Sequence, residues 1–432
     1  MTVIGDSFRT LAQGRVGLSS GGSGRIIHVV FDCVVVGAGQ AGLSTSYHLS
    51  RLGVAHVVLE RGRVAETWRS ARWDSFCLNT PNWCTRLPGR DPAGAPASFA
   101  RLDEVIAMFT GYAEQVEAPV RRAEVTRLQL HDGVFEVTLA DDALTARTVV
   151  VATGAFQQPV AYPSTAALPA ACTQMHTAAY RSPDQLPNGG VLIVGSGQSG
   201  CEIGLELLES GRDVHLAVGR CGWAPRRYRG RELMRWMVDV GAMDETIDVL
   251  PTPKARVAGN VAVSGSRGGR DCNPLVLEAA GATLHGRFLG FDGGRALFED
   301  DLDASIEFGT KFERDLCRRW DDYAEAAGLD LPRHRLRARK ATHAASTELT
   351  LKREGITTLL RAGGYRPAFG WIDIAVFDEM GFPRARRGVT EIPGLGFVGL
   401  PWLHTRKSPL LLGVGDDAAH VAAAVEAHLN TI

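Results

Sequence analysis

Two glycine turns of one frame, GAGQAG at 37–42 and GSGQSG at 195–200, constrain this chain more than any other feature. Each follows an apolar, β-branched run and opens a segment of helical length. IIHVVFDCVVV at 26–36 leads into the first, LSTSYHLSRLG follows, and VAHVVLE at 54–60 closes the unit on an acid. VLIV at 191–194 leads into the second, followed by CEIGLELLESG and the strand-like DVHLAV. A strand, a tight turn, a helix and a second strand in that order read as a β–α–β unit whose helix N-terminus offers free N–H groups to a phosphate. The first glycine (Gly37, Gly195) permits the bend, and the second (Gly39, Gly197) lets a pyrophosphate reach the backbone. The third (Gly42, Gly200) lets helix pack on strand. Gln40 and Ala41 complete the first turn; Ser196, Gln198 and Ser199 complete the second. The turns lie far apart in the chain, so they are two nucleotide-binding units, not a tandem repeat.

A chain of 432 residues has room for both, with 45% hydrophobic and 22% charged residues. Those proportions exclude a disordered, collagen-like or disulfide-stapled chain. The net charge of −1 supplies no field toward nucleic acid or an anionic membrane. No apolar run approaches the roughly 18 residues of a membrane span. Eight cysteines include no CxxC pair, and no zinc motif appears, so no metal is expected. These features lead to the expectation of a cytoplasmic enzyme with free thiols.

The two turns differ in the residues beyond them. Glu60 ends the strand after the first turn, where a carboxylate can accept hydrogen bonds from a ribose 2′-OH; a surface glutamate is the alternative. The corresponding acid is missing after the second turn, and Arg220 stands in its place. Seven arginines and two acids fall between 212 and 235. Arg220, Arg226 and Arg227 are the candidate donors to a 2′-phosphate, which needs cationic forks where a 2′-OH needs a carboxylate. A solvated basic face is the alternative. The first site therefore suits the ADP-ribose of FAD and the second suits NADPH, a pairing built to pass reducing equivalents to flavin.

With GAGQAG go LERGRVAETWR (59–69), WDSFCLNTP (73–81), VVVATGAFQQP (149–159), MHTAAYRSP (175–183) and VLIVGSGQSG (191–200). On these motifs the sequence resembles the class B flavoprotein monooxygenases from about Val30 to the C-terminus. The resemblance implies that Glu60, Arg61, Thr67, Trp68 and Arg69 contact the flavin nucleotide, with Thr153 and Gly154 beside it. It places Asn79 at the reactive edge of the isoalloxazine, where a neutral amide holds the oxidised coenzyme or the C4a-(hydro)peroxyflavin without supplying a proton. A turn asparagine before Pro81 is the equal alternative. Gly415, Asp416 and Asp417 precede a C-terminal helix whose positive end faces the flavin pyrimidine, with an aspartate on the ribitol or as a plain N-cap. Trp402, His404, Arg406 and Lys407 lie toward the substrate side by the same resemblance. The fingerprint FxGxxxHxxxY is half present: His176 and Tyr180 fit, but Ala170 and Cys172 replace Phe and Gly. AGGY at 362–365 stands where ATGY is usual.

The expected fold is α/β, two Rossmann-like dinucleotide-binding domains with the NADPH domain (161–344) inserted into a discontinuous FAD domain (28–160 and 345–432). Residues 1–27 are expected to be a disordered or non-native tail, and the charged helix at 311–327 and the basic segment 333–340 to be solvated surface. The expected reaction reduces FAD with NADPH and uses O2 to oxygenate a nitrogen or sulfur centre of a small molecule. Two alternatives stand beside it: an NADPH-dependent flavin reductase or oxidase, and a flavin redox sensor acting on a partner. Neither nucleic acid nor membrane is an expected partner, and a homo-oligomer is left open.

Overall fold

The computed structural model describes residues 15–17, 28–160, 168–257, 261–334 and 346–432. In chain order its principal elements are β1 (His28–Val36), α1 (Gln40–Arg51), β2 (His56–Glu60), β3 (Ala143–Val151), β4 (Gly190–Val194), α2 (Gln198–Glu209), β5 (Val214–Ala217), β6 (Ile356–Arg361), β7 (Leu395–Phe397) and α3 (Val414–Leu429). The apolar runs become strands because both faces are covered: Cys33, Val34 and Val35 of β1 are fully buried, as are Val149 and Val150 of β3.

Two main sheets result, the first with a parallel centre and antiparallel additions, the second parallel throughout. In the first, β1 lies between β2 and β3, all parallel, with Val120–Arg122 outside β2 and β7 outside β3. In the second, β4 lies between β5 and β6, with Thr283–His285 outside β5 and Thr173–His176 outside β6, again all parallel. Helix α1 packs against α3 on the first sheet. One buried cluster runs from Val35 and Val150 through Trp73, Phe76 and Leu78 to Tyr180, Val191 and Ile203, so the two sheets are joined by apolar packing.

Three expectations change here. Glu348–Thr350 and β6 fall after residue 344 yet pair within the second half of the fold: Glu348–Thr350 with Arg295–Phe298, and β6 with β4. By strand pairing, the return to the first sheet comes after Arg361. Within the expected tail, Arg15–Gly17 forms a strand antiparallel to the start of β1; the rest of 1–27 lies outside the described residues, as does most of 333–340. The charged helix expected at 311–327 extends over Leu302–Ala326 and is not all surface: it buries Leu316, Cys317, Trp320 and Ala324. Its charges occupy only one face. No helix among the described residues is long and apolar enough to cross a membrane.

Candidate functional site

Both glycine turns are built alike, atom for atom in their main contacts. Gly37 has φ +108° and Gly195 φ +112°, the conformation that opens the turn. A Cβ on Gly42 would lie 1.8 Å from the Gly37 carbonyl oxygen, and one on Gly200 would lie 2.0 Å from that of Gly195. Only hydrogen fits there, so the helix is drawn tight onto its turn. A Cβ on Gly39 or on Gly197 would meet nothing within 4 Å. The open space lies where the sequence calls for a phosphate, at the N-terminus of α1 and of α2, whose leading N–H groups carry no side-chain cap. Each crevice is closed on its far side by a matching residue: Ala152 N–H donates to Val36 O (2.8 Å), and Ala362 N–H to Val194 O (2.8 Å). Both turns thus sit at the carboxyl end of a strand flanked by two parallel neighbours, the usual ligand crevice of such sheets.

The side chains around the first turn converge on it. Glu60 Oε2 accepts from Ala38 N–H (2.9 Å) and Oε1 from Gly62 N–H (3.0 Å), so the acid at the end of β2 lies against the turn itself. Ala65 N–H donates to Ala38 O (3.1 Å), which brings the loop with Arg61 and the short helix Glu66–Ser70 with Thr67, Trp68 and Arg69 to the same place. Trp68 stacks on Phe109, while Arg69 donates to Val64 O (3.0 Å) and Thr110 Oγ1 (2.9 Å). Arg61 is exposed. Thr153 Oγ1 and Gly154 O accept from Gln157 Nε2, beside Gly37. The Gln40 amide is turned away onto Pro409 O (2.7 Å), bracing the turn to the loop before α3.

Around the second turn the arginines separate into two groups. Arg220 is exposed just past β5, and Ser196 reaches across to fix that strand end. Its hydroxyl accepts from Gly219 N–H (3.1 Å) and lies 3.2 Å from Gly219 O. Arg226 is buried and departs from the expected phosphate-binding set. Its guanidinium pairs with Glu232, donates to Asn79 O (2.7 Å) and lies over the Phe99 ring. Arg227 donates to the carbonyls of Gly269 (3.0 Å) and Gly268 (2.8 Å). Arg229 pairs with Asp321 and Arg231 with Asp239. The local positive excess is therefore largely consumed by structure, through carboxylates close in the chain (Glu232, Asp239) and through Asp321, Asn79 O and the Gly268 and Gly269 carbonyls from distant segments. The Gln198 amide, like that of Gln40, is engaged by a neighbouring strand, donating to Val263 O and accepting from Val263 N–H.

Asn79 is held from the second half of the fold. Its Oδ1 accepts from Gly265 N–H (3.2 Å) while its own carbonyl takes the Arg226 bond. At the C-terminus, α3 begins at Val414 with Gly413 as its cap, so Asp416 and Asp417 sit inside the first turn rather than before it. Neither is the N-cap. Asp416 pairs with Lys407 (3.2 Å); Asp417 is buried, 3.5 Å from Arg387, with Oδ2 lacking a hydrogen-bond partner. Gly415 lies under Pro88, where a Cβ would come within 2.9 Å of Cγ. Lys407 also pairs with Asp244, and Arg406 with Glu245, tying their loop to the bend that follows the helix Leu233–Asp239. His176 is buried with Nε2 unpartnered, edge-on to Tyr365, and burial lowers its pKa; Tyr180 donates to Glu206 (2.7 Å).

Two residues missed in the sequence belong to this region. Arg72 lies over the rings of Trp68, Phe76 and Phe156, at 5.1, 5.6 and 5.8 Å. The signal was present: a cation flanked by aromatic residues at 68, 73 and 76. Glu202, two residues past Gly200, is a buried acid, and nothing in a helical pattern distinguishes it from a surface glutamate.

The residues fit two dinucleotides. Each turn offers an open cradle at a helix N-terminus. The first adds the Glu60 carboxylate lying against its turn, and the unpartnered Asp417 Oδ2 offers an acceptor to a hydroxyl.

Comparison with known proteins agrees. The pyridine nucleotide-disulphide oxidoreductase family matches residues 34–237. An uncharacterized CzcO-like oxidoreductase of Geobacillus kaustophilus is 30% identical over 401 residues, spanning 91% of this chain and 97% of that protein. An indole-3-pyruvate monooxygenase, YUCCA1 of Oryza sativa, is 32% identical over 190 residues, 43% of this chain and 47% of its own. Among solved structures, a flavin-containing monooxygenase from Stenotrophomonas maltophilia superposes with a TM-score of 0.61 at 19% identity, covering 92% and 98% of the two chains. The bacillithiol disulfide reductase of Staphylococcus aureus shares the fold with a TM-score of 0.59 at 13% identity and the same coverage. All eight cysteines of the present chain are unpaired.

Proposed function

The chain belongs to the CzcO-like oxidoreductases of the class B flavin monooxygenase-like family, with FAD and NAD(P)H as cofactors, and from that premise we propose an NADPH-dependent monooxygenase acting on a nitrogen or sulfur centre of a small molecule. The observation that carries the reading is the unlike pair of cradles: the same turn twice, with Glu60 folded against one and exposed Arg220 beside the other. A carboxylate selects a free ribose hydroxyl, and a guanidinium selects a 2′-phosphate.

FAD, when bound, supplies the two-electron chemistry and the reaction with O2. The chain's own work is binding, orientation and exclusion of water. The N–H groups after Gly39 and Gly197 hold the two pyrophosphates. Arg220 discriminates the coenzyme. Asn79, fixed at its carbonyl and at its side chain, presents an amide that donates hydrogen bonds without releasing a proton at neutral pH. The packed seam of Trp73, Phe76 and Leu78 keeps bulk water from the join between the sheets. The overall reaction balances as NADPH, a proton, O2 and substrate giving NADP⁺, water and the oxygenated substrate.

Purified protein is expected to be yellow and to bleach on anaerobic addition of NADPH. Readmitting O2 with a panel of amines and sulfides should give one oxygenated product per NADPH consumed. Release of all reducing equivalents as hydrogen peroxide, whatever compound is added, would replace the monooxygenase with an oxidase. Replacement of Arg220 by Ala should raise KM for NADPH about tenfold and leave KM for NADH within about twofold. Arg227→Ala should do less, because that guanidinium is already bonded to backbone carbonyls. Equal losses for both coenzymes in the Arg220 variant would remove the 2′-phosphate assignment.

A further inference from the structure

Glu202 is an ionisable group to which the proposed monooxygenase assigns no role. It lies in the opening turns of α2, is 7% exposed, and its Oε2 has no hydrogen-bond partner. A carboxyl buried this deeply is costly as a charge. Charged and titratable groups face it from each neighbouring element: Arg72 and Cys77 from the loop after Ser70, Arg270 and Cys272 from the segment after Ser264, and Arg226 from the stretch beyond Gly222. On its own helix Gln198 adjoins it, with Ser264 opposite. Burial holds the carboxyl up at about 7, opposed by Ser264, Gln198, Arg270 and Arg72. The group therefore changes charge in the ordinary working range of an enzyme.

Glu202 faces the strip that holds Asn79. Gln198 braces Val263 through both its amide atoms, and Ser264 is the next residue. Gly265 N–H then donates to Asn79 Oδ1 (3.2 Å). A Cβ on Gly265 would lie 1.8 Å from Leu78 O, so the strip and the Asn79 loop touch with no slack. Ser264 Oγ lies 2.9 Å from Ser266 Oγ and accepts from Ser266 N–H (3.1 Å), while Val263 holds the Gln198 amide, so an ionised Glu202 competes for these donors and a neutral one leaves them to the strip. We propose that Glu202 is a positioning residue which, through Ser264 and Gly265, sets the orientation of the Asn79 amide according to its own protonation state. The catalytic consequence rests on the role proposed for Asn79 in the monooxygenase; the placement does not.

Two measurements separate these. The first concerns the full-length protein without turnover. Because the folded carboxyl binds its proton more tightly than the unfolded one, its contribution to stability is full below the ordinary glutamate range. That contribution is lost as pH rises toward 7. Melting temperatures of wild type and Glu202→Gln, taken from pH 4.5 to 8, should differ by an amount that drifts steadily against wild type up to about pH 7 and then levels. A difference independent of pH overturns the placement. The second follows anaerobic bleaching by NADPH. Wild type should show an inflection near pH 7 in its limiting rate. Glu202→Gln should lose the inflection with KM for NADPH within about twofold, and Glu202→Asp should keep it at a shifted pH. In an Asn79→Ala background, Glu202→Gln should have no further effect on the rate, since its influence passes through that amide. Additive losses, or an inflection that survives Glu202→Gln, overturn the proposal. If wild type does not bleach at all, the functional reading fails, and the melting series still decides for or against Glu202. Should Glu202→Gln not fold, Glu202→Asp supplies both series: a shifted inflection supports the proposal and an unmoved one defeats it.

Discussion

A Gly39→Asp variant is expected to purify folded and colourless, and a Gly197→Asp variant folded, yellow and unbleached by NADPH. The two positions are ordinary in backbone terms, with φ −89° at Gly39 and −74° at Gly197, so an L residue adopts either without strain. Each is the N-cap of its helix, and a Cβ there meets nothing within 4 Å. Aspartate is a good N-cap and its charge favours the helix N-terminus, so stability should hold or rise by up to about 1 kcal/mol. The same carboxylate occupies the space and opposes the charge of a pyrophosphate, which should weaken the dinucleotide by at least about a hundredfold, or ~3 kcal/mol. The double dissociation assigns one coenzyme to each turn. Full flavin content in the Gly39 variant would contradict the assignment. Gly42→Ala is the contrasting case: its Cβ would lie 1.8 Å from Gly37 O, and loss of the folded protein is the expected result.

Arg226→Ala should destabilise the protein by about 3–5 kcal/mol, read as a lowered urea midpoint, while Arg220→Ala stays within about 0.5 kcal/mol. Arg226 is 1% exposed and serves Glu232, Asn79 O and the Phe99 ring together. Burial already pushes the Glu232 carboxyl upward in pKa against the pull of Arg226. Without the guanidinium, Glu232 is left in a poorly solvated place with its charge unanswered. Equal stabilities for the two variants would return Arg226 to the set of guanidiniums open to a coenzyme phosphate.

The parts of the architecture legible in the sequence were those with a short-range cause. Both β–α–β units and their glycine positions appeared where expected, because a turn of that geometry admits few residue types. Glu60 was legible for the same reason: the end of β2 must return beside the turn after β1. Misplaced were the groups whose partners lie far away in the chain. The second unit's later strand, β6, lies beyond residue 344 and could not be assigned to a sheet until its pairing with β4 was seen. Asp416 and Asp417 read as residues before a helix because Gly413 and Gly415 suggested a loop, yet packing of Gly415 under Pro88 lets the helix start at Val414.

By itself the sequence determined that this chain has two cradles for dinucleotides, one flanked by an acid and one by arginine. Only the tertiary structure decided which arginines remain open and where Asn79 is anchored. Arg226 and Asn79 are 147 residues apart, and Glu202 acquires its environment from segments on both sides of it. A glycine requirement is a local steric fact, carried by neighbouring residues. The charge state and availability of a polar side chain depend on burial and on partners that meet it only when the two sheets pack.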